Sequence, residues 1–139
     1  MELDAVKSPD DNPVPVSRAG ICTRPIDLVF LARYTLGNRA LEREVLELFV
    51  GQSRQSLEQL RKAESTKDWR EAAHAIKGSA RAVGARRVGD LAEQAELLDP
   101  VSEGLVSAAE QSRRAELVRD LSDEIDAANQ YIAALFNED

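Results

Sequence analysis

The sequence predicts an all-α protein, an antiparallel four-helix bundle with an additional short N-terminal helix. Hydrophobic residues make up 43% of the chain but aromatic residues only 4%. With many Ala, Leu, Glu and Arg, that balance favours packed helices over strands, which prefer β-branched and aromatic side chains. Seven glycines and five prolines in 139 residues are too few to punctuate many short strands. The apolar residues recur mostly at three-and-four spacing in long segments separated by short polar breaks, and helices joined that way pack antiparallel. One domain of this length buries a workable single core.

Residues 1–22 carry Pro9, Pro13 and Pro15 among Asp4, Asp10 and Asp11 with no apolar period, and read as a flexible acidic arm. The helical domain is expected over 23–139. Its first helix is short, about 25–36, with Thr23 as cap, Pro25 in the first turn and Gly37 as the stop. A long helix follows over 38–64, its apolar positions Leu41, Val45, Leu48, Phe49, Leu57 and Leu60. The third begins at Asp68, which forms a capping-box-like pair with Glu71, and runs to Val83 before Gly84 stops it. The fourth spans 86–98, with Val88, Leu91, Ala95 and Leu98 on one side, and Asp99 and Pro100 break it. The last, about 104–136, repeats Leu117, Leu121, Ile125, Ala128, Ile132 and Leu135 at near-heptad spacing. Such a stripe suits either the core of this bundle or a dimerising coiled coil. The absence of consistent edge charges favours the core, and a monomer.

Composition removes several function classes. A formal charge of −7 argues against a broad nucleic-acid or anionic-membrane surface. No apolar run reaches membrane-spanning length and the first residues lack a signal-peptide core. Together with a single cysteine, Cys22, this points to the cytoplasm. One His and one Cys do not build a zinc or haem site. Neither a Gly-rich phosphate loop nor a nucleophile elbow is present, and Cys22 lies too close to the arm to pair with the histidine as a positioned nucleophile.

That leaves the only histidine, His74. On the wheel of the third helix, Trp69, Ala72, Ala73, Ile76, Ala80 and Val83 form the core stripe. Arg70, His74, Lys77, Gly78 and Arg81 share the opposite, solvent-facing stripe. Side chains on a helix lean toward its N-terminus, so Lys77 and Arg81 are expected to lean back over His74. Neighbouring cations disfavour a protonated ring and so favour the nucleophilic neutral imidazole; they would then stabilise a phosphoryl group carried there. Gly78 sits mid-helix, where glycine costs about 1 kcal/mol relative to alanine, and marks a place of close approach. From residue 70 to residue 87 five cations face one acid, Glu71, in an otherwise acidic chain, a pattern that steers an acidic partner. Singly, each feature suits an ordinary solvated helix face; their coincidence on one face points to a site.

The run His74, Ile76, Lys77, Gly78, Ser79, Ala80, Gly84 and Ala85 closely resembles the signature of histidine-containing phosphotransfer (HPt) domains. That signature is a histidine, an apolar residue two later, Lys-Gly, two small residues, and then Gly-Ala or Gly-Leu. The flanks agree: an apolar run from Leu46 to Phe49, Asp68-Trp69 ahead of the histidine, and the segment from Leu91 to Leu98 after it. The likeness covers about residues 25–136. It implies a four-helix bundle in which His74 is the phospho-acceptor, Lys77 stabilises the phosphoryl group and Gly78 opens the surface to a partner. It further implies exchange with a receiver aspartate of a response regulator or hybrid histidine kinase, with Mg²⁺ on the receiver and no cofactor on this chain. ATP-dependent kinase activity is not expected.

One position departs from the pattern. Many members carry Gln 22 positions after the histidine, where it hydrogen-bonds the imidazole; this chain has Glu96 there, with Gln94 nearby. A carboxylate at that position would accept from Nδ1–H and leave Nε2 to attack, while also favouring a protonated ring against Lys77. The alternative function is a bundle of the same fold that docks on a kinase or receiver without carrying phosphate; a dimerisation module is a third.

Overall fold

The structure is a computed structural model that describes residues 24–98 and 108–137. It contains five helices: α1 (Leu28–Thr35), α2 (Arg39–Lys62), α3 (Thr66–Val83), α4 (Arg86–Leu97) and α5 (Ala108–Asn137). No strand occurs among the described residues. The expected N-terminal arm and Cys22 lie outside them.

Side-chain contacts define the topology. Arg43 and Arg61 on α2 reach Phe136 and Ser122 on α5, so these two helices run antiparallel. Lys77 and Arg81 on α3 meet Glu96 and Glu93 on α4 in the same sense. Arg87 on α4 meets Glu124 on α5, and Arg113 meets Gln94. Helices α2, α3, α4 and α5 thus close an up-down-up-down bundle, with α1 standing against α2 and the end of α3.

The third-helix stripe is buried as its period predicts: Trp69, Ala72, Ala73, Ile76, Ala80 and Val83. The near-heptad residues Leu117, Leu121, Ile125, Ala128 and Ile132 of α5 are buried inside the same chain, with Leu135 packed beside them. The stripe therefore serves this bundle's core, and the coiled-coil alternative loses its exposed seam. On α4 the inward set is Val88, Gly89, Ala92 and Ala95, with Leu91 and Leu98 half-buried at its margin.

Three local expectations are corrected. On α2, Leu48 is 57% exposed and Leu41 38%, whereas Leu46 joins Phe49, Leu57 and Leu60 in the core with Ser53 and Ser56. Three-and-four spacing fits both sets, and the buried serines carry no hydrophobic signal. Helix α3 starts earlier than Asp68, because Ser65 is the cap: its hydroxyl accepts the Asp68 N–H at 3.0 Å. Asp68 instead supplies a carboxylate to the first turn, where the helix dipole favours it. Helix α1 is two turns long, capped by Asp27, whose carboxylate accepts the Phe30 N–H at 3.1 Å.

Asp27 also ties α1 to the far end of α3. Its N–H donates to the Gly84 carbonyl at 2.9 Å and its carboxylate meets Arg86 at 3.0 Å. Gly84 turns the chain left-handed at φ 76°, where a Cβ would lie 3.1 Å from the Asp27 carbonyl oxygen and 3.2 Å from the Phe30 ring. Gly78, by contrast, faces open space. Opposite effects follow from the same substitution: Gly84→Ala should lower the stability measured by chemical denaturation by about 2 kcal/mol, through left-handed strain and contact. Gly78→Ala should raise it by up to about 1 kcal/mol.

Candidate functional site

The candidate site forms where α3 and α4 approach each other closely. Ala73 and Ala80 on α3, and Gly89 and Ala92 on α4, are all buried. A Cβ on Gly89 would lie 3.8 Å from that of Ala80 and 3.3 Å from Cγ of Arg81. At the other end of this seam the Trp69 indole N–H donates to the Ala95 carbonyl at 2.7 Å, a buried bond. Glu96, the next residue, is thereby held beside the middle of α3.

There Glu96 bridges two of the sequence-predicted residues. Its Oε2 lies 2.8 Å from His74 Nδ1 and its Oε1 lies 2.6 Å from Lys77 Nζ. The Lys77 ammonium holds the Glu96 carboxyl below its ordinary range; partial burial opposes this, and the hydrogen bond with His74 adds to it. An ionised carboxylate only accepts hydrogen bonds, so the proton of the histidine contact sits on Nδ1. In the neutral ring this leaves the lone pair on Nε2, which has no partner among the described residues. The His74 side chain is 68% exposed, against 21% for Lys77 and 23% for Glu96. The ring stands in water above a half-buried ion pair.

Arg81 takes a different direction from the one its position on the wheel suggested. Its guanidinium meets Glu93 on α4 at 2.7 Å, so the contact runs across the seam. The basic cluster is correspondingly weaker than the sequence suggests. Lys77, Arg81, Arg86 and Arg87 each have a carboxylate partner, in Glu96, Glu93, Asp27 and Glu124. Asp90, Glu93 and Glu96 of α4 reduce the excess of four cations over residues 70–87 to one over residues 70–97.

Gly78 is exposed, one turn beyond His74, and nothing lies within 4 Å of where its Cβ would stand. A role as an internal packing contact is excluded. On α2, Leu41 and Leu48 are exposed, whereas Val45 is partly buried and packed against the core. The sequence places both leucines in the core, and the structure leaves them on the surface.

A family model described as Hpt domain matches residues 44–131, more than half of the chain. It takes in all of α3 and α4 and most of α2 and α5. No curated protein and no solved structure matches the chain.

Because the Glu96 carboxyl is held below its ordinary value of 4.5, its ion pair and hydrogen bond contribute stability above that pH. The contribution disappears as pH falls through the lower folded-state value. Urea unfolding of the native protein and of Glu96→Gln should therefore differ most near neutrality, and the gap should close below pH 4.5. A gap unchanged in acid would show that the ionised carboxylate contributes nothing.

Proposed function

The chain belongs to the Hpt domain family, whose members take part in two-component phosphorelays, and on that premise we propose that it shuttles a phosphoryl group between His74 and an aspartate of a response-regulator receiver domain. The observation that carries this reading is the state of the only histidine. His74 is exposed at mid-helix, its Nδ1 is engaged by Glu96, and its Nε2 is left for an incoming phosphorus. In the proposed step the Nε2 lone pair attacks the phosphorus of the receiver's aspartyl phosphate. The bond from phosphorus to the aspartyl oxygen breaks, and its electron pair leaves with the carboxylate. Transfer onward to a second receiver reverses these events.

The neighbouring residues have matching proposed roles. Lys77 shares the Glu96 carboxylate with the ring and offers charge-assisted hydrogen bonds to a phosphoryl group, in competition with its contact to Glu96. Arg81, held by Glu93, lies further along the same stripe and serves docking. Open space at Gly78 admits a receiver loop, and exposed Leu41 and Leu48 on α2 supply apolar surface. Mg²⁺ is expected on the receiver. The protein acts in the cytoplasm, with a kinase or receiver as its source of phosphate. No described helix is long and apolar enough to cross a membrane.

His74→Gln should abolish acid-labile, alkali-stable phosphorylation while leaving helicity by circular dichroism unchanged. Histidine-type label persisting on that variant would overturn the proposal. In the same assay Gly78→Ala, Gly78→Gln and Gly78→Leu should pass phosphate progressively more slowly without unfolding. A series that folds and transfers at the native rate would remove the docking role of Gly78.

A further inference from the structure

The family resemblance leads one to expect Gln where this chain has Glu96, and the difference matters chemically because a carboxylate carries charge. We propose that Glu96 keeps a proton on His74 Nδ1 through the whole transfer cycle, so that the ring takes and returns a phosphoryl group without exchanging a proton with water. The inference rests on the phosphotransfer reading above.

The proton on Nδ1 decides what leaves when phosphorus is passed on. The neutral ring with Nδ1–H attacks through Nε2, and once the bond from Nε2 to phosphorus has formed, the ring is a cation if Nδ1 keeps its proton. On the return step the acceptor carboxylate attacks phosphorus, the bond to Nε2 breaks, and the electron pair stays on Nε2. The leaving group is then neutral imidazole. Had Nδ1 lost its proton, the leaving group would be imidazolate, a far stronger base and a much poorer leaving group. A residue that holds this proton therefore keeps the phosphorylated ring competent as a donor.

The geometry suits Glu96 to that task. Its Oε2 lies 2.8 Å from Nδ1, where a charge-assisted hydrogen bond forms with a cationic ring; such bonds are about twice as strong as the neutral kind an amide would offer. Lys77 acts on the other oxygen, Oε1, at 2.6 Å, keeping the carboxylate ionised and in place. Both partners of that pair are half-buried, so solvent screens Glu96 less than it screens an open surface pair. The other charged groups near the ring are Arg70 and Glu71 on its own helix, and Arg81 paired with Glu93 across the seam. The flank of α2 toward α3 presents the neutral Gln52, Gln55 and Gln59 beside this stretch. Glu96 is thus the carboxylate placed to act on Nδ1. It is a positioning residue, acting on phosphorus only through the ring.

The test uses the full chain phosphorylated directly with phosphoramidate, and follows transfer from His74 to a receiver as pH is raised. Glu96→Gln is close to isosteric, retains an acceptor for Nδ1–H and lacks only the charge. Near-equal rates are expected in mildly acidic buffer, where water supplies the proton. In mildly alkaline buffer the variant should be slower by about tenfold or more, the low end of what a neighbouring opposite charge produces. Nitrogen-15 spectra of the single histidine should show Nδ1–H retained on the phosphorylated native protein at the alkaline pH and lost on the variant. Superimposable pH profiles, or a deficit equal at every pH, would overturn the inference while leaving the phosphotransfer reading intact. A native protein that takes no phosphoryl group on His74 would overturn that reading, and this inference with it.

Discussion

Small side chains where α3 faces α4 set the distance on which the site depends. Packed helices lie about 8–10 Å apart according to the side chains between them, and buried Ala73, Ala80, Gly89 and Ala92 permit a close approach here. Glu96 projects from α4 and still reaches both His74 and Lys77 on α3. The Trp69 bond to the Ala95 carbonyl holds the register at one end of the seam, and Arg81 lying across Gly89 onto Glu93 holds it at the other. A seam opened by larger residues would leave the same three functional groups on the surface with no contact among them. The site's precision therefore comes from apolar packing beneath it, and the charged residues act from positions that packing has already determined.

Electrostatics at the site is local. The four cations at or beyond Lys77 on this stretch are matched by carboxylates from α4, α5 and the cap of α1. What distinguishes the surroundings of His74 is therefore the order of charges. Carboxylate stands next to the ring and ammonium stands behind the carboxylate, with both half-buried below an exposed imidazole. Such an arrangement acts over a few ångströms, where burial limits screening, and adds little at the distances that guide diffusion. Docking in the proposed function then depends more on shape and apolar surface, on Gly78, Leu41 and Leu48, than on a basic field.

The fold was legible because its period is strong. All six predicted core residues of α3 are buried, as are the five central residues of the α5 stripe. Local errors arose where two patterns fit equally well. On α2 the residues at 41 and 48 and those at 46, 49 and 53 both satisfy helical spacing, and Ser53 in the core carries no apolar signal. At the start of α3, Ser65 and Asp68 are both good caps, and the hydroxyl takes the role three residues earlier. Thr23 and Asp27 competed similarly ahead of α1, and Asp27 caps it. The candidate site was legible in part. The shared face of His74, Lys77 and Gly78 follows from one helix, whereas the Glu96 contact joins residues 22 apart on two helices and is marked in the sequence only by the family pattern. The pairing of Arg81 with Glu93 had no signal on a single helical wheel.

The proposed transfer turns on one atom, Nε2 of His74. A phosphorylated receiver can be mixed with the nitrogen-15-labelled protein, and the ring nitrogen bonded to phosphorus identified by correlating the two nuclei. The account predicts phosphorus on Nε2 of His74, with Nδ1 facing Glu96. Phosphorus on Nδ1, or phosphate found only on carboxylates of this chain, would contradict it.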